Sequence, residues 1–296
     1  MTDPTASRIS SRMAARLLSG VRSARAISAG AAFLIVVLVL SVLAPVILPS
    51  GPLDQTGAQL AAPSLAHLFG TDELGRDILA RCLVGARSTL LVAVVAAASA
   101  SVVGTAVGVV AGYLGGWIDA LAMRVIDVLL ALPSILIALV IVALLGPSST
   151  NVVIAIAIVE VPAFARLARA STMSLTQRPF VEAARASGYG RMATMWRAIL
   201  PNALSPVAVQ LIVASASAIL VVAALSFLGL GEQPPAPSLG GMLKSSQLYL
   251  GHAPWYPVFP GVLVTALVAA FSAIGTGLAR LVSDHRPAVT AAVGQS

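Results

Sequence analysis

Of the 296 residues, 58% are hydrophobic and 10% charged, at a mean hydropathy of +0.96, against about a quarter charged in ordinary soluble domains. That composition excludes a soluble globular enzyme and identifies an integral membrane protein. The net charge of +7 gives no argument for nucleic acid, because 17 of the 18 basic residues are arginines set beside apolar segments, as membrane topology requires.

Along the chain, residues 1–26 form a basic segment rich in Arg and Ser with Asp3 as its one acid. Such a composition also fits an organellar transit peptide, but the apolar run that follows Arg25 is too long for a signal-peptide core and no A-x-A site follows it. It is therefore expected to be an uncleaved first transmembrane helix, 27–48. Arg8, Arg12 and Arg16 recur every four residues, which predicts a short helix lying along an anionic membrane surface.

Residues 49–86 make a connecting loop, with "PSGPLDQTGAQLAAPS" as a coil and "FGTDELGRDILARCLVGARSTL" as a turn leading into a helix. Apolar stretches of about 20 residues, the length needed to cross hydrocarbon, then recur at 88–112, 120–145, 150–170, 204–230 and 258–282. The connection 231–257 is rich in turn formers and ends in Trp255 and Tyr256, expected at the membrane interface. Neither loop is large enough to be a substrate-binding domain. Residues 286–296 form a tail.

Lipid offers no partner for free backbone groups, and these stretches lack the alternation of barrel strands. The fold class is all-α: a polytopic membrane protein of six transmembrane helices. If the amino terminus is cytoplasmic, the inner segments hold 14 basic residues and only Arg76, Arg81, Arg87 and Lys244 lie outside. The positive-inside rule therefore places both termini in the cytoplasm. Cys82 is the single cysteine, no Cys/His group has metal-ligand spacing, and no metal site or catalytic constellation is expected.

The stretch "FVEAARASGYGRMATMWRAILPNA", 180–203, interrupts this apolar chain with Glu182, Arg185, Arg191 and Arg197. Pro179 suits a first helical turn, and Gly188 with Gly190 supplies a positive-φ stop. A second short helix is predicted to place Met192, Met195 and Trp196 near one face before Pro201 redirects the chain into the fifth span. Such a hairpin either rests on lipid or docks a cytoplasmic partner.

Glu160, Asp127 and Arg124 are ionisable groups within the predicted spans, where a charge costs about 2.5–3.5 kcal/mol to insert and usually serves function. They are the candidate translocation path. Glu160 is expected to face the bundle interior, either lining that path or forming a buried structural pair with Arg124 or another span, beside a bend imposed by Pro162. On these residues alone a self-contained, ion-coupled secondary transporter is an alternative. No inverted repeat or discontinuous helix is evident in its favour.

Glu182-Ala183-Ala184, Gly188 and Ile199-Leu200-Pro201 resemble the EAA signature of permease subunits in binding-protein-dependent ABC importers. "FGTDELGRD" at 69–77, "ARLARA" at 165–170, "ILPNALSP" at 199–206 and "LSFLGLGEQPPAPS" at 225–238 extend the likeness to the C-type permeases of dipeptide and oligopeptide importers, over about residues 65–285. Ala198 stands where the broad signature has Ile, and Val161 and Leu239 where close relatives carry Trp. The resemblance implies a type I ABC importer (MetI-like) fold, with an ABC transmembrane type-1 domain of five helices at 87–285 following the first span. It implies that the hairpin, about 171–203, is a coupling helix lodged in an ATPase subunit, and that the chain is half of a pore in a prokaryotic cytoplasmic membrane. The implied partners are a second homologous permease subunit, one or two ATP-binding subunits and an extracytoplasmic solute-binding protein. Glu182 would then be a charged contact to the ATPase or a brace of the bend, and Gly188 would permit close approach and reversal.

No cofactor is expected in this chain, and ATP and Mg would sit on partner subunits. A phosphate-binding loop needs a lysine, and the only one, Lys244, follows Leu243 on the predicted outer side. The resemblance leaves peptides, nickel complexes and haem as candidate cargoes.

Overall fold

A computed structural model describes residues 4–48, 50–55 and 57–284 of the chain. Its helices are α1 (Pro4–Ile47), α2 (Ile78–Leu114), α3 (Gly116–Leu130), α4 (Ser134–Leu145), α5 (Ser149–Thr176), α6 (Pro179–Ala186), α7 (Arg191–Thr194), α8 (Leu200–Phe227), α9 (Leu239–Ser246) and α10 (Trp255–Asp284). The side chains of Arg8, Arg12 and Arg16, and all of Arg286, lie outside the described residues. The surface helix predicted from that arginine spacing concerns those side chains.

Five helical stretches are long and apolar enough to cross a membrane: Ser23–Ala44, Ile78–Leu114, Ser149–Thr176, Arg191–Phe227 and Trp255–Leu281. The predicted third span is not a single helix. α3 and α4 meet at 89° across a break at 131–133, because Pro133 disfavours helical geometry at Leu132 and gives no N–H to the ladder. α3 begins beside Arg169, near the end of α5, and α4 delivers the chain to the start of α5 at Ser149. The pair therefore makes one broken crossing, the sixth.

Local signals set the helix ends. The Asp77 carboxylate accepts from the Ala80 N–H to open α2, Ser148 accepts from Asn151 N–H at 3.1 Å to open α5, and Ser238 accepts from Gly241 N–H at 3.1 Å to open α9. α9 lies inside what the sequence presents as a loop, with Leu239 fully buried and Met242 2% exposed.

α2 and α5 form the centre of the bundle. Gly104 and Gly108 of α2, one turn apart, let the α5 backbone come close: a Cβ at Gly108 would stand 2.2 Å from the carbonyl oxygen of Ala165. Ala93, Ala96, Ala97 and Ala100 on α2, and Ala155, Ala165 and Ala168 on α5, are all fully buried. Small residues at a seam allow dispersion contacts and backbone approach, which drive helix association where the hydrophobic effect does not.

The two ends of the bundle differ. At one end the loop 50–77 folds onto itself around Asp72, which is fully buried. Its carboxylate accepts from Arg76 Nε at 2.6 Å and from the backbone N–H of Arg76 and Leu74. Tyr256 is 1% exposed and donates its hydroxyl to Glu73 at 2.6 Å, and Phe69 stacks on Phe259 at 3.9 Å. Tyr256 is thus an inward brace of this loop rather than the interfacial anchor expected of it. The opposite end carries α6 and α7.

Candidate functional site

The hairpin predicted at 171–203 is built differently from its expectation. α6 begins with Pro179 at its first turn and ends before Gly188, whose φ of +84° is left-handed. A side chain there meets nothing within 4 Å, so the glycine is required by backbone conformation and not by space. The second arm is not a separate short helix. α7 passes through a widened π turn, Met195–Ile199, directly into α8. Pro201 has no N–H for the carbonyl of Arg197, and the wide turn absorbs that missing bond without redirecting the chain.

The hairpin has two faces. Val181 and Ile199 are fully buried and Met195 is 2% exposed, in one apolar cluster with Tyr113 of α2 and Phe164 of α5. Phe180, Tyr189, Met192 and Trp196 are 41–60% exposed on the other side. Met192 and Trp196, four residues apart, share the exposed face, whereas Met195 turns into the core, so the three do not share a face. Arg185 lies over the Tyr113 ring at 6.0 Å, at the outer limit for a cation–π contact.

Of the predicted coupling residues, Glu182, Ala183, Gly188 and Pro201 are exposed, Ala184 and Leu200 are half-buried, and Ile199 is core. Glu182 forms no side-chain hydrogen bond or ion pair among the described residues, so it does not brace the bend. Its carboxylate sits in the first turn of α6, where the helix dipole favours it.

The structure does not gather Glu160, Asp127 and Arg124 into one site. Glu160 of α5 is half-buried and accepts from Ser217 Oγ of α8 at 2.7 Å, so its partner lies on another span and is not Arg124. Asp127 accepts from Arg166 Nη2 at 2.7 Å with both side chains more than half exposed. Arg124 is exposed with no ion-pair partner among the described residues. One turn further along α5, Arg169 grips Asp119 through two hydrogen bonds. The two arginines of "ARLARA" thus tie α3 to α5, a role that charge counting missed and that their three-residue spacing opposite two acids could have signalled.

The sequence profile of the family described as "binding-protein-dependent transport system inner membrane component" matches residues 104–286. This chain belongs to that family. The permease is 48% identical over 220 residues to the dipeptide transport system permease protein DppC of Alkalihalophilus pseudofirmus, covering 74% of this chain and 72% of that protein. It is 41% identical over 256 residues to the di/tripeptide transport system permease protein DppC of Pseudomonas aeruginosa, covering 84% of each. A glutathione transport system permease protein, GsiD of Escherichia coli, is 44% identical over 216 residues, covering 73% and 71%.

The permease is a multi-pass membrane protein of the ABC importer class, not itself an enzyme, and its family works with an ATPase and a binding protein. The matched region takes in the hairpin, the α3–α5 ion pairs and Glu160 together.

Proposed function

We propose that this permease forms half of the translocation pore of an ATP-driven importer for di- or oligopeptides. In this reading the hairpin end faces the cytoplasm, both termini lie there, and a second, homologous permease completes the pore. One or two ATPase subunits carry ATP and Mg, and a solute-binding protein delivers cargo to the opposite face. The single observation that carries the mechanism is the two-sided hairpin. Its inner face is fixed in the core by Val181, Met195 and Ile199, while Phe180, Tyr189, Met192 and Trp196 stand uncovered beside Glu182.

An element of that kind transmits force. A partner gripping the outer face moves α2, α5 and α8 together, because the inner face is packed among them and the second arm is continuous with α8. ATP-driven closure of the ATPase pair would then swing the bundle between inward-facing and outward-facing states. Glu182 supplies charge at the contact and Gly188 the reversal that presents it. Glu160 with Ser217 is the polar position of the path. Asp127, paired with Arg166, and Arg124, with no ion-pair partner among the described residues, serve the wall of the path and not its centre.

The likeness to dipeptide, di/tripeptide and glutathione permeases supports a peptide cargo in preference to nickel complexes or haem. The test is uptake of radiolabelled dialanine into vesicles carrying the permease with its ATPase, companion permease and binding protein. Uptake that requires both ATP and the binding protein is expected. Uptake by this chain alone, driven by a proton gradient, would replace this reading with the secondary transporter.

A further inference from the structure

At the end opposite the hairpin, the loop 50–77, the turn after α8 and helix α9 enclose a cleft of about 340 Å³ lined by Glu73, Arg76, Arg81, Glu232, Gln233 and Lys244 among others. Most of its charges are already committed to holding the fold. Glu73 accepts from the Tyr256 hydroxyl, Arg76 donates to Asp72, and Arg81 donates to the Pro52 carbonyl at 3.0 Å. Gln233 donates to the carbonyls of Gly229 and Gly231.

Two groups are left over. The Lys244 ammonium has no hydrogen-bond or ion-pair partner among the described residues. It lies against the left-handed turn at Gly229, φ +87°, where a Cβ would stand 2.5 Å from Nζ. Among the described residues, Glu232 accepts from Ser88 Oγ through Oε2 and has no partner for Oε1. A spare ammonium and a spare carboxylate oxygen in one cleft complement a zwitterion, and charge-assisted hydrogen bonds are the stronger class. A cleft of this volume accepts a small molecule, and opposite charges on its walls disfavour a simple anion.

We propose that this cleft is a vestibule for the cargo, in which Lys244 receives the C-terminal carboxylate of a short peptide and Glu232 its α-ammonium group. The inference rests on the peptide reading above and adds a binding position to it on the loop end of the bundle. Gly229 has a role in it: a Cβ there would stand 2.5 Å from Nζ and push the exposed Lys244 ammonium aside.

Lys244 is the only lysine of the chain, so it reports on its own occupancy. In the complete importer reconstituted in nanodiscs, the rate at which an impermeant acylating reagent modifies Lys244 is followed by peptide mapping. Millimolar dialanine should slow that rate several-fold, while dialanine amide and inorganic phosphate should not. No protection by dialanine, equal protection by the amide, or equal protection by phosphate would each overturn the proposal. In vesicles, Lys244→Met should raise KM for dialanine roughly tenfold, the effect of losing about 1.4 kcal/mol, with kcat little changed, and Lys244→Arg should restore most of it. An unchanged KM in Lys244→Met would also overturn it. Wild-type vesicles separate the two readings: ATP-dependent dialanine uptake with Lys244 unprotected refutes the vestibule alone, whereas absence of any peptide uptake refutes the cargo.

Discussion

Arg169 on α5 holds Asp119 on α3 in a side-on fork, with Nη2 donating to Oδ2 at 2.6 Å and Nε to Oδ1. Asp127 and Arg166 repeat the link two turns along α3 at 2.7 Å. Together they bind the first half of a broken span, of which only Ile126 is buried, to the middle of the bundle. A fork between partly exposed groups contributes about 1 kcal/mol. Asp119→Arg or Arg169→Asp should therefore lower the thermal midpoint of the purified permease by a few degrees, and the charge-swapped double variant should recover most of the loss. Equal midpoints in all three would mean that α3 is held by other contacts.

The α2–α5 seam is less forgiving. Gly108→Leu places atoms where the Ala165 carbonyl now sits, 2.2 Å from the first added carbon. Backbone cannot yield as a side chain does, so a loss well above the usual 1–3 kcal/mol of overpacking is expected. The measurement is the fraction of monodisperse permease recovered after solubilisation. Wild-type recovery would show that the helices can separate there without cost.

The small-residue seam, the broken span and helix α9 mark where sequence reading stopped short. Five crossings were legible because long apolar runs report their own length. The break at 131–133 was not, since Pro133 lies inside an unbroken apolar run and hydropathy is blind to a bend. In α9, "SLGGML" carries a capping Ser238 and two adjacent glycines, and the glycines suggested a turn. The hairpin was legible as two arms around Gly188. Its division into a buried and an exposed face was not, because Met192, Met195 and Trp196 are all apolar and residue type alone does not say that only Met195 turns inward. The Glu160–Ser217 bond joins residues 57 apart, and no local pattern announces it.

That bond separates two roles for Glu160. Glu160→Gln keeps a hydrogen-bonding group toward Ser217 and removes the charge, whereas Glu160→Leu removes both. A path residue should leave assembly intact in both variants and alter transport rate or cargo preference. Loss of assembly in Glu160→Leu, with Glu160→Gln unchanged for every cargo tested, would make the pair purely structural.

Orientation is open to direct labelling. Cys82 is fully buried and gives little background. Ser187→Cys, beside Gly188, should react with an impermeant maleimide only in inverted vesicles or opened cells. Leu65→Cys, at a position 98% exposed in the loop 50–77, should react in intact cells. The reverse pattern would invert the permease in the membrane.

The hairpin's exposed face is the central claim, and Glu182→Lys tests it most directly. Glu182 is exposed and has no partner among the described residues, so the substitution leaves the packing of Val181, Met195 and Ile199 untouched and the permease should reach the membrane at normal abundance. The measurement is recovery of the ATPase with the purified permease, alongside ATP-dependent uptake in vesicles. The account predicts that uptake is lost and that ATPase recovery falls by tenfold or more, the effect of about 1.4 kcal/mol or greater of opposed charge. Wild-type recovery of the ATPase together with wild-type uptake would contradict it and leave the hairpin resting on lipid.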